Sequence, residues 1–244
     1  MATETIVTHS PGVAPVPPAD RIPPLESGDH LSLAEFRRRY EAMPWLKKAE
    51  LISGVVFVQA PVSAFHCDPH ARLMAWFNFY WVATEGVTVS DNGTVQVGPE
   101  DEPQPDVAMR IDADCGGRVQ VNSAGFLQGS PEMAAEVAAS SAIYVLHIKF
   151  DMYRKFGVRV YLVWRVYDND LDWYVLRDGK YERLQPGDGG IYRSEVFPGL
   201  WLDKAALLCG DRTSLLRQVQ IGTASPEHAA FVARLKSVAD SKQR

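Results

Sequence analysis

The sequence predicts an α/β protein whose strands form one mixed sheet. Runs rich in β-branched and aromatic residues alternate along the chain with segments whose apolar residues recur at helical spacing, which is typical of α/β folds. The chain has 244 residues, 46% of them apolar, and this suits one domain with a substantial core.

The first predicted helix covers residues 31–43. Ser32 is a suitable N-cap, Glu35 follows it at the spacing of a capping box, and Pro44 ends the helix. The next segment, 49–58, predicts a single strand because it contains the run Val-Val-Phe-Val.

A second helix is predicted to begin at Asp68 and Pro69 and to end before Gly86, because proline favours the first turn and glycine the position after the last. Two short strands then flank the sequence Asp-Asn-Gly at 91–93, a strong hairpin signal. Another strand is predicted at 107–111.

The second half continues the alternation. After a polar loop at 112–130, residues 131–139 suit either a helix or a strand by propensity. We predict a strand, because a helical segment at 141–156 follows directly and ends at Gly157. The remaining predicted elements are a strand at 158–166, a hairpin turning at 178–179, a turn at 197–200, and helices at 202–208 and from Ser225 onward.

The chain divides into three predicted segments. Residues 1–30 are rich in proline and lack periodicity, which predicts a disordered leader. Residues 31–210 form the α/β domain, and residues 211–244 form a helical tail whose apolar residues group at Ala229, Val232, Ala233 and Leu235.

Composition argues against several classes of protein. No apolar run approaches the roughly 20 residues that cross a bilayer, and the N-terminus lacks the basic and apolar regions of a signal peptide. The three cysteines are far apart and form no Cys-x-x-Cys pair, which excludes a zinc ribbon and argues against a disulfide framework. We therefore expect a cytoplasmic protein.

The formal net charge of -5 bears on nucleic-acid binding, because proteins that bind duplex DNA usually carry a broad basic face. Basic residues cluster only locally, at 37–39, 47–48 and 154–155, whereas the stretch from Glu100 to Asp114 is acidic. We expect this acidic stretch to surround the functional site and to suit a divalent cation. The charge weakens a DNA interpretation without excluding it.

Two carboxylates are the strongest candidates for chemistry. Asp106 and Glu136 each lie in or beside an apolar strand, where a carboxylate without a partner is costly. Two such residues on neighbouring strands can share one hard cation, which would activate water for hydrolysis of a phosphate ester. In a second interpretation, Asp106 caps a turn after Pro105 and Glu136 lies on a solvated face.

Seven segments occur in the order found in a known family: Ala-Glu-Leu-Ile-Ser-Gly, the helix after Asp-Pro-His-Ala-Arg-Leu, Ser-Asp-Asn-Gly-Thr-Val-Gln-Val, Gln-Pro-Asp-Val, Ala-Ala-Glu-Val-Ala-Ala-Ser-Ser, Lys-Phe-Asp-Met-Tyr-Arg-Lys-Phe-Gly-Val with Tyr-Leu-Val-Trp, and Phe-Pro-Gly-Leu-Trp-Leu-Asp. Through them residues 50–208 resemble the Uma-type family of putative restriction endonucleases, within the PD-(D/E)XK nuclease superfamily. The resemblance implies a restriction-endonuclease-like αβββαβ core with a mixed central sheet.

The resemblance also implies a Mg²⁺-dependent endonuclease that acts on DNA, with Mn²⁺ as an alternative ion. Asp106 and Glu136 would be catalytic metal ligands, and the carbonyl of Val137 a third ligand. The motif lysine is absent at Ala138, and Lys149 on the next helix takes its place, in a Lys-x-x-x-Tyr pattern.

Three further residues would support the site: Tyr153 completes the pattern with Lys149, Glu50 matches an early family glutamate, and His70 matches a histidine at the start of a helix. Lys149 and Glu50 each have an ordinary alternative: a solvated helix lysine for Lys149 and a charge at a strand edge for Glu50. His66 and His147 lack metal-ligand spacing and are predicted to be surface residues.

The chain departs from the family at Ser53 and Val145, where members often carry acids, and at Ile148, where a more polar residue is expected. These departures favour an alternative function, a catalytically weak or inactive nuclease-fold module for binding or assembly. A homodimer is a further expectation, with the late hairpin at 173–175 as its exposed interface edge.

Overall fold

The structure is a computed structural model, and it describes residues 22–139 and 144–242. Its helices are α1 (Leu33–Glu41), α2 (Ala64–Val82), α3 (Phe150–Lys155), α4 (Lys204–Cys209), α5 (Arg212–Thr223) and α6 (Pro226–Lys242). Its strands are β1 (Ala49–Ile52), β2 (Val55–Val58), β3 (Val87–Asp91), β4 (Val95–Gln96), β5 (Val107–Ile111), β6 (Gln120–Val121), β7 (Leu127–Gln128), β8 (Met133–Ala138), β9 (Val160–Arg165), β10 (Asp170–Arg177), β11 (Lys180–Arg183), β12 (Ile191–Arg193) and β13 (Trp201–Asp203).

A six-stranded mixed sheet forms the centre, in the order β11-β10-β9-β8-β5-β3. Within this sheet, as described, β8 and β9 pair in parallel and the other neighbours are antiparallel. The predicted α/β class with one mixed central sheet is confirmed.

Each face of the sheet carries its own core. On one face, α2 packs through Leu73, Trp76 and Phe77 in a cluster that also contains residues of β13, α5 and α6. On the other, Met152 and Tyr153 of α3 pack against β8 and β9. Because both faces are covered, β8 is buried along its whole length, so every polar side chain on it needs an internal partner.

Several predictions from local sequence are confirmed. The Ser32 side chain accepts a hydrogen bond from the Glu35 N–H at the start of α1. Asp178 and Gly179 form the tight turn between β10 and β11, both with positive φ, as a type I′ hairpin requires. Gly157 has φ +71° after α3, the left-handed conformation expected just past a helix end.

Two element boundaries were wrong. Residues 49–58 form a hairpin of β1 and β2 rather than one strand, because Ser53 and Gly54 both adopt positive φ and reverse the chain. Helix α2 begins at Ala64 rather than Asp68, with Ser63 as its cap, and it contains Pro69. The helix tolerates this proline near its N-terminus, at the loss of one backbone hydrogen bond.

The predicted hairpin at 91–93 was also wrong. Strand β3 pairs with β5, whereas β4 joins a separate small sheet with β7 and β6. Asn92 has positive φ and donates its N–H to the Asp106 carbonyl, so this turn directs the chain away from β3. The segment 112–130, predicted to be a loop, contains β6 and β7, two of the three strands of that small sheet.

The helix predicted at 141–156 begins, within the described residues, with a π-helical turn at Tyr144–Lys149 that leads into α3. The start predicted for it, at residues 141–143, lies outside the described residues. Farther on, Leu202 belongs to β13, and α4 starts after Asp203, which caps it by accepting from the Ala206 N–H.

The C-terminal segment is helical as predicted, but its buried face is different. His228, Phe231 and Leu235 face the core, whereas Ala229 and Ala233 are exposed. At the other end, residues 1–21 of the predicted leader lie outside the described residues. Residues 22–30 are not a free leader, because Leu25 is buried and the Gly28 N–H donates to Val56.

The predicted dimer edge was misplaced. Strand β10 lies between β9 and β11, and Trp173 and Val175 are buried, so they offer no exposed edge. The homodimer itself stays a prediction.

Cys67, Cys115 and Cys209 are free thiols. In the two described ranges, no helix is long and apolar enough to cross a bilayer.

Candidate functional site

Asp106, Glu136, Val137 and Lys149 line one cavity of about 1150 Å³ beside the ends of β5 and β8. Val107 pairs with Ala135, so continuing the antiparallel register by one residue sets Asp106 opposite Glu136. The structure therefore brings together the residues that the sequence predicted as the site.

Pro105 explains why the sheet opens here. The next position in the ladder would pair residue 105 with Val137, but proline has no N–H to donate to the Val137 carbonyl. On the same residue, the Val137 N–H donates to Asp106 Oδ2 at 2.8 Å. The aspartate side chain thus replaces a strand partner, and the gap beyond it forms part of the cavity.

Asp106 is buried, and two basic side chains contact its carboxylate in addition to the Val137 N–H. Lys48 Nζ lies 3.0 Å from Oδ1, and His66 Nε2 lies 3.1 Å from Oδ2. Burial alone would raise the pKa of Asp106, but the hydrogen bond from His66 and the charge of Lys48 outweigh it and hold the pKa well below its ordinary value. Asp106 is therefore a carboxylate at neutral pH. His70 contacts its backbone carbonyl, at 3.1 Å.

Lys149 bridges two buried carboxylates. Its Nζ lies 2.7 Å from Glu136 Oε1 and 2.8 Å from Glu50 Oε1, and its side chain is almost completely buried. The Tyr153 hydroxyl donates to the same Glu136 oxygen, at 3.2 Å. Among the described residues, none donates a hydrogen bond to the second oxygen of Glu136, Oε2.

The π-helical turn positions this cluster. Tyr144 at its start donates to Glu50 Oε2 at 3.1 Å, and Lys149 at its end reaches both carboxylates. Gln59 and the Gln104 N–H also donate to Glu50, at 2.9 and 2.6 Å. Glu50 is thus fully hydrogen-bonded, whereas Glu136 keeps one oxygen available.

Burial and charge act in opposite directions on this pair. Burial raises the pKa of Glu136 above its ordinary value, the Lys149 ammonium lowers it, and the charges of Asp106 and Glu50 raise it further. Burial lowers the pKa of Lys149, but the carboxylates of Glu136 and Glu50 more than offset this, so the lysine stays cationic. Burial also raises the pKa of Tyr153, which therefore remains a hydroxyl donor.

The oxygen donors fit a hard divalent cation in kind: the carboxylates of Asp106 and Glu136 and the backbone of Val137 belong to one cavity, and Glu136 Oε2 accepts no hydrogen bond from the described chain. The buried Nδ1 of His66 also lacks a hydrogen-bond partner within the described ranges. Within those ranges, however, no three acidic, histidine or cysteine side chains are grouped as a metal cluster. A cation here would therefore depend on two carboxylates, one carbonyl and water.

The structure decides between several alternative interpretations. Lys149 is not a solvated helix residue, Glu136 does not lie on a solvated face, and Glu50 is buried and fully paired. Asp106 accepts from the neighbouring strand rather than capping a turn. His147 is exposed as predicted, whereas His66, also predicted to be a surface residue, is half-buried and contacts Asp106.

Sequence reasoning missed four contacts at the site: those of Lys48, Gln59, His66 and Tyr144. His66 and His70 are four residues apart, a spacing that places them on one helix face once α2 is known to begin at Ala64. The signal was therefore present, but the predicted helix start concealed it. The other three contacts link distant parts of the chain and have no local signal.

The three residues that depart from the family pattern, Ser53, Val145 and Ile148, lie in different environments. Ser53 lies in the β1–β2 turn, where its N–H donates to Asp101, away from the cavity. Val145 is buried and lines the cavity, whereas Ile148 is largely exposed. Only Val145 replaces an expected acid at the site itself.

The prediction that the acidic stretch from Glu100 to Asp114 surrounds the site was also wrong. Glu102 pairs with Arg37, and Asp101 lies near Lys155. The cavity is lined instead by both signs of charge, including Lys47 and Lys48 at its edge.

The chain is similar to one protein family and to a solved structure. A family model, Uma2, described as a putative restriction endonuclease, matches residues 33–205. The crystal structure of a putative nuclease belonging to DUF820 from Anabaena variabilis is similar in fold, with a TM-score of 0.56 at 15% identity, covering 76% of this chain and 99% of that one. A search of curated proteins finds no match.

Proposed function

Because the chain belongs to the Uma2 family of putative restriction endonucleases, we propose that it is a divalent-cation-dependent endonuclease that hydrolyses phosphodiester bonds in DNA. One observation supports this above the others. Asp106 and Glu136 stand opposite each other at the ends of adjacent strands, in one cavity, with the buried Lys149 ammonium 2.7 Å from Glu136.

The proposed ligands of Mg²⁺, or of Mn²⁺ in its place, are Asp106, Glu136 Oε2 and the carbonyl of Val137. When bound, the cation would activate water and offset charge on the phosphate. Lys149 holds Glu136 in place and adds positive charge where the attacking water and the phosphate would meet. Lys47 and Lys48 line the same cavity and would attract the phosphate backbone.

A cation bound at Asp106 Oδ1 would repel the Lys48 ammonium on that oxygen, whereas Oδ2 already accepts from His66 and the Val137 N–H. Lys48 is the side chain better suited to leave, because it is partly exposed and flexible. We expect it to turn from Asp106 toward a phosphate when DNA enters the cavity.

The test is cleavage of plasmid DNA with Mg²⁺ or Mn²⁺, alongside calorimetry of the same ions without DNA. We expect D106N and E136Q to lose both cleavage and ion binding. D151N is the matched control, because Asp151 is exposed on α3 and lies outside the cavity. Cleavage that persists in D106N and E136Q would reject the proposed site.

The second candidate is a nuclease-fold module that binds without catalysis. It is favoured by Val145, an apolar residue in the cavity, and by the basic neighbours that occupy Asp106. This alternative predicts no heat of ion binding and no cleavage by the unmodified protein, together with retained affinity for DNA.

A further inference from the structure

A second cavity, of about 540 Å³, lies between α2, α4 and α5. Its floor is largely apolar and includes Leu207, Leu215 and Leu216, and Phe79 stands partly exposed at its wall. None of the proposed catalytic residues lines it, so it is a separate place in the fold with its own chemistry.

Three arginines also line this cavity: Arg72 on α2, and Arg212 and Arg217 on α5. Arg72 contacts the Leu208 carbonyl, and within 22–139 and 144–242 none of the three guanidinium groups reaches ion-pair distance of a carboxylate. Asp211, at the start of α5, directs its carboxylate to the Ser214 N–H. In a chain of net charge -5, three unpaired arginines around one cavity favour an anionic ligand.

The second cavity adjoins the catalytic one. Ala71 and Ala75 of α2 line both, so only small side chains separate the two spaces. His70, which contacts Asp106, and Phe79 lie on the same helix nine residues apart. That is about 14 Å along a helix axis.

We propose that an unpaired nucleic-acid strand held in the catalytic cavity continues across α2 into this second cavity. Its phosphates bind Arg72, Arg212 and Arg217, and one base packs on Phe79. A nucleotide combines an anion with an apolar ring face, as the arginines and apolar floor require, and base stacking on an aromatic ring needs an unpaired base. This inference rests on the proposed nuclease function and adds the strand class and path.

The test compares a 3-nucleotide and a 12-nucleotide single-stranded DNA, labelled with a fluorophore, by anisotropy in EDTA so that no cleavage occurs. The 12-mer spans both cavities, whereas the 3-mer fits within the catalytic one. We expect R212Q/R217Q to weaken binding of the 12-mer about tenfold and to lower the slope of its salt dependence by about 1.4. Binding of the 3-mer should not change.

F79A should weaken only the 12-mer, again by about tenfold. The control is K180Q/K236Q, which removes the same charge at two exposed lysines outside the cavity and should leave both affinities unchanged. Circular dichroism of each variant checks folding. An unchanged 12-mer affinity in R212Q/R217Q, or equal losses for both oligonucleotides, would overturn the proposal.

Failure of the proposed function looks different. In that case the unmodified protein does not cleave plasmid DNA with Mg²⁺ or Mn²⁺, whatever its affinity for the oligonucleotides. If it cleaves DNA but binds the 12-mer no more tightly than the 3-mer, only the second cavity has been misassigned. Dodecanoate tests a third outcome. If R212Q/R217Q weakens the binding of dodecanoate but not that of the 12-mer, the cavity binds a lipophilic anion and not a nucleic-acid strand.

Discussion

Glu136 on β8 and Asp172 on β10 occupy similar positions in the central sheet, yet their surroundings differ. Each is a carboxylate between apolar neighbours in a strand, and each is 3% exposed. Asp172 accepts from Arg165 and Arg183 on the flanking strands, both of which reach solvent. Glu136 pairs with a lysine that is itself buried and lines a cavity.

The charge balance separates the two clusters. Around Asp172, the carboxylates of Asp168, Asp170 and Asp172 face the cations of Arg165, Arg183 and Lys204. Around Glu136, the three carboxylates of Glu50, Asp106 and Glu136 face two lysines, Lys48 and Lys149, and the His66 imidazole, which is charged only when protonated. The first cluster balances three carboxylates with three permanent cations, whereas the second has two permanent cations for three carboxylates and lies beside a cavity. A buried acid in a strand is therefore a candidate site only when its neighbours leave it unbalanced.

Replacing Lys149 should give the largest effect. K149M leaves Glu50 and Glu136 buried without their cation, so we expect a loss of about 3 to 5 kcal/mol in the free energy of unfolding, measured in urea. K149M/E50Q should recover part of it, because one of the two charges is gone. A loss below 1 kcal/mol would mean that this cluster behaves like an ordinary surface pair.

The same variant should show a defined pH dependence. The pKa of Glu136 is already raised above its ordinary value by burial, and removal of Lys149 raises it further. As pH rises through that ordinary value, the unfolded chain ionises first, so the folded state loses stability. K149M should be least destabilised at about pH 4.5 and most at pH 8.

Replacing Glu136 and Asp172 in turn by their amides separates effects on function from effects on stability. E136Q should lower cation-dependent cleavage by at least about 100-fold, because it removes a proposed ligand of the cation. It should leave stability nearly unchanged, since Glu50 still pairs with Lys149. If E136Q instead destabilises the fold and spares cleavage, the contrast between the two clusters is reversed.

D172N is the counterpart on β10. It should leave cleavage unchanged but lower the free energy of unfolding by about 2 kcal/mol, because it weakens charged hydrogen bonds to two arginines. Thermal and urea unfolding measure the loss, and plasmid cleavage provides the control. Equal loss of activity in D172N and E136Q would indicate that both act only through folding.

The smallest effect is expected at Arg183, whose side chain is about half exposed. R183Q should change the free energy of unfolding by less than about 1 kcal/mol. The change should shrink further in 1 M NaCl, because salt screens exposed pairs far more than buried ones. K149M measured in the same salt should keep nearly its full loss.

The central features of the fold and site could be predicted because their signals are local. Apolar strand patterns located β5 and β8, and the acids within them were visible as residues that need partners. Turn residues located the β10–β11 hairpin, and Ser-Gly at 53–54 was an available signal for the β1–β2 turn that the strand interpretation passed over.

Other features depend on tertiary contacts. Lys48 and Asp106 are 58 residues apart, and nothing beside either residue indicates the other. The Asp-Asn-Gly turn failed as a hairpin signal because β5 is the better partner for β3 and the Asn92 N–H is taken by Asp106. Asp172 shows the same sequence pattern as Glu136, an acid between apolar residues of a strand. Only the arrangement of cations in space distinguishes the two.

The bond from Val137 to Asp106 gives that aspartate two duties. Its side chain accepts a hydrogen bond from the buried backbone N–H of Val137, whatever chemistry takes place beside it. A descendant of this chain that no longer cut nucleic acid would still gain from an oxygen acceptor at 106. Persistence of an aspartate there in a related protein is thus a sign of an intact sheet, and activity has to be judged from the glutamate on the neighbouring strand.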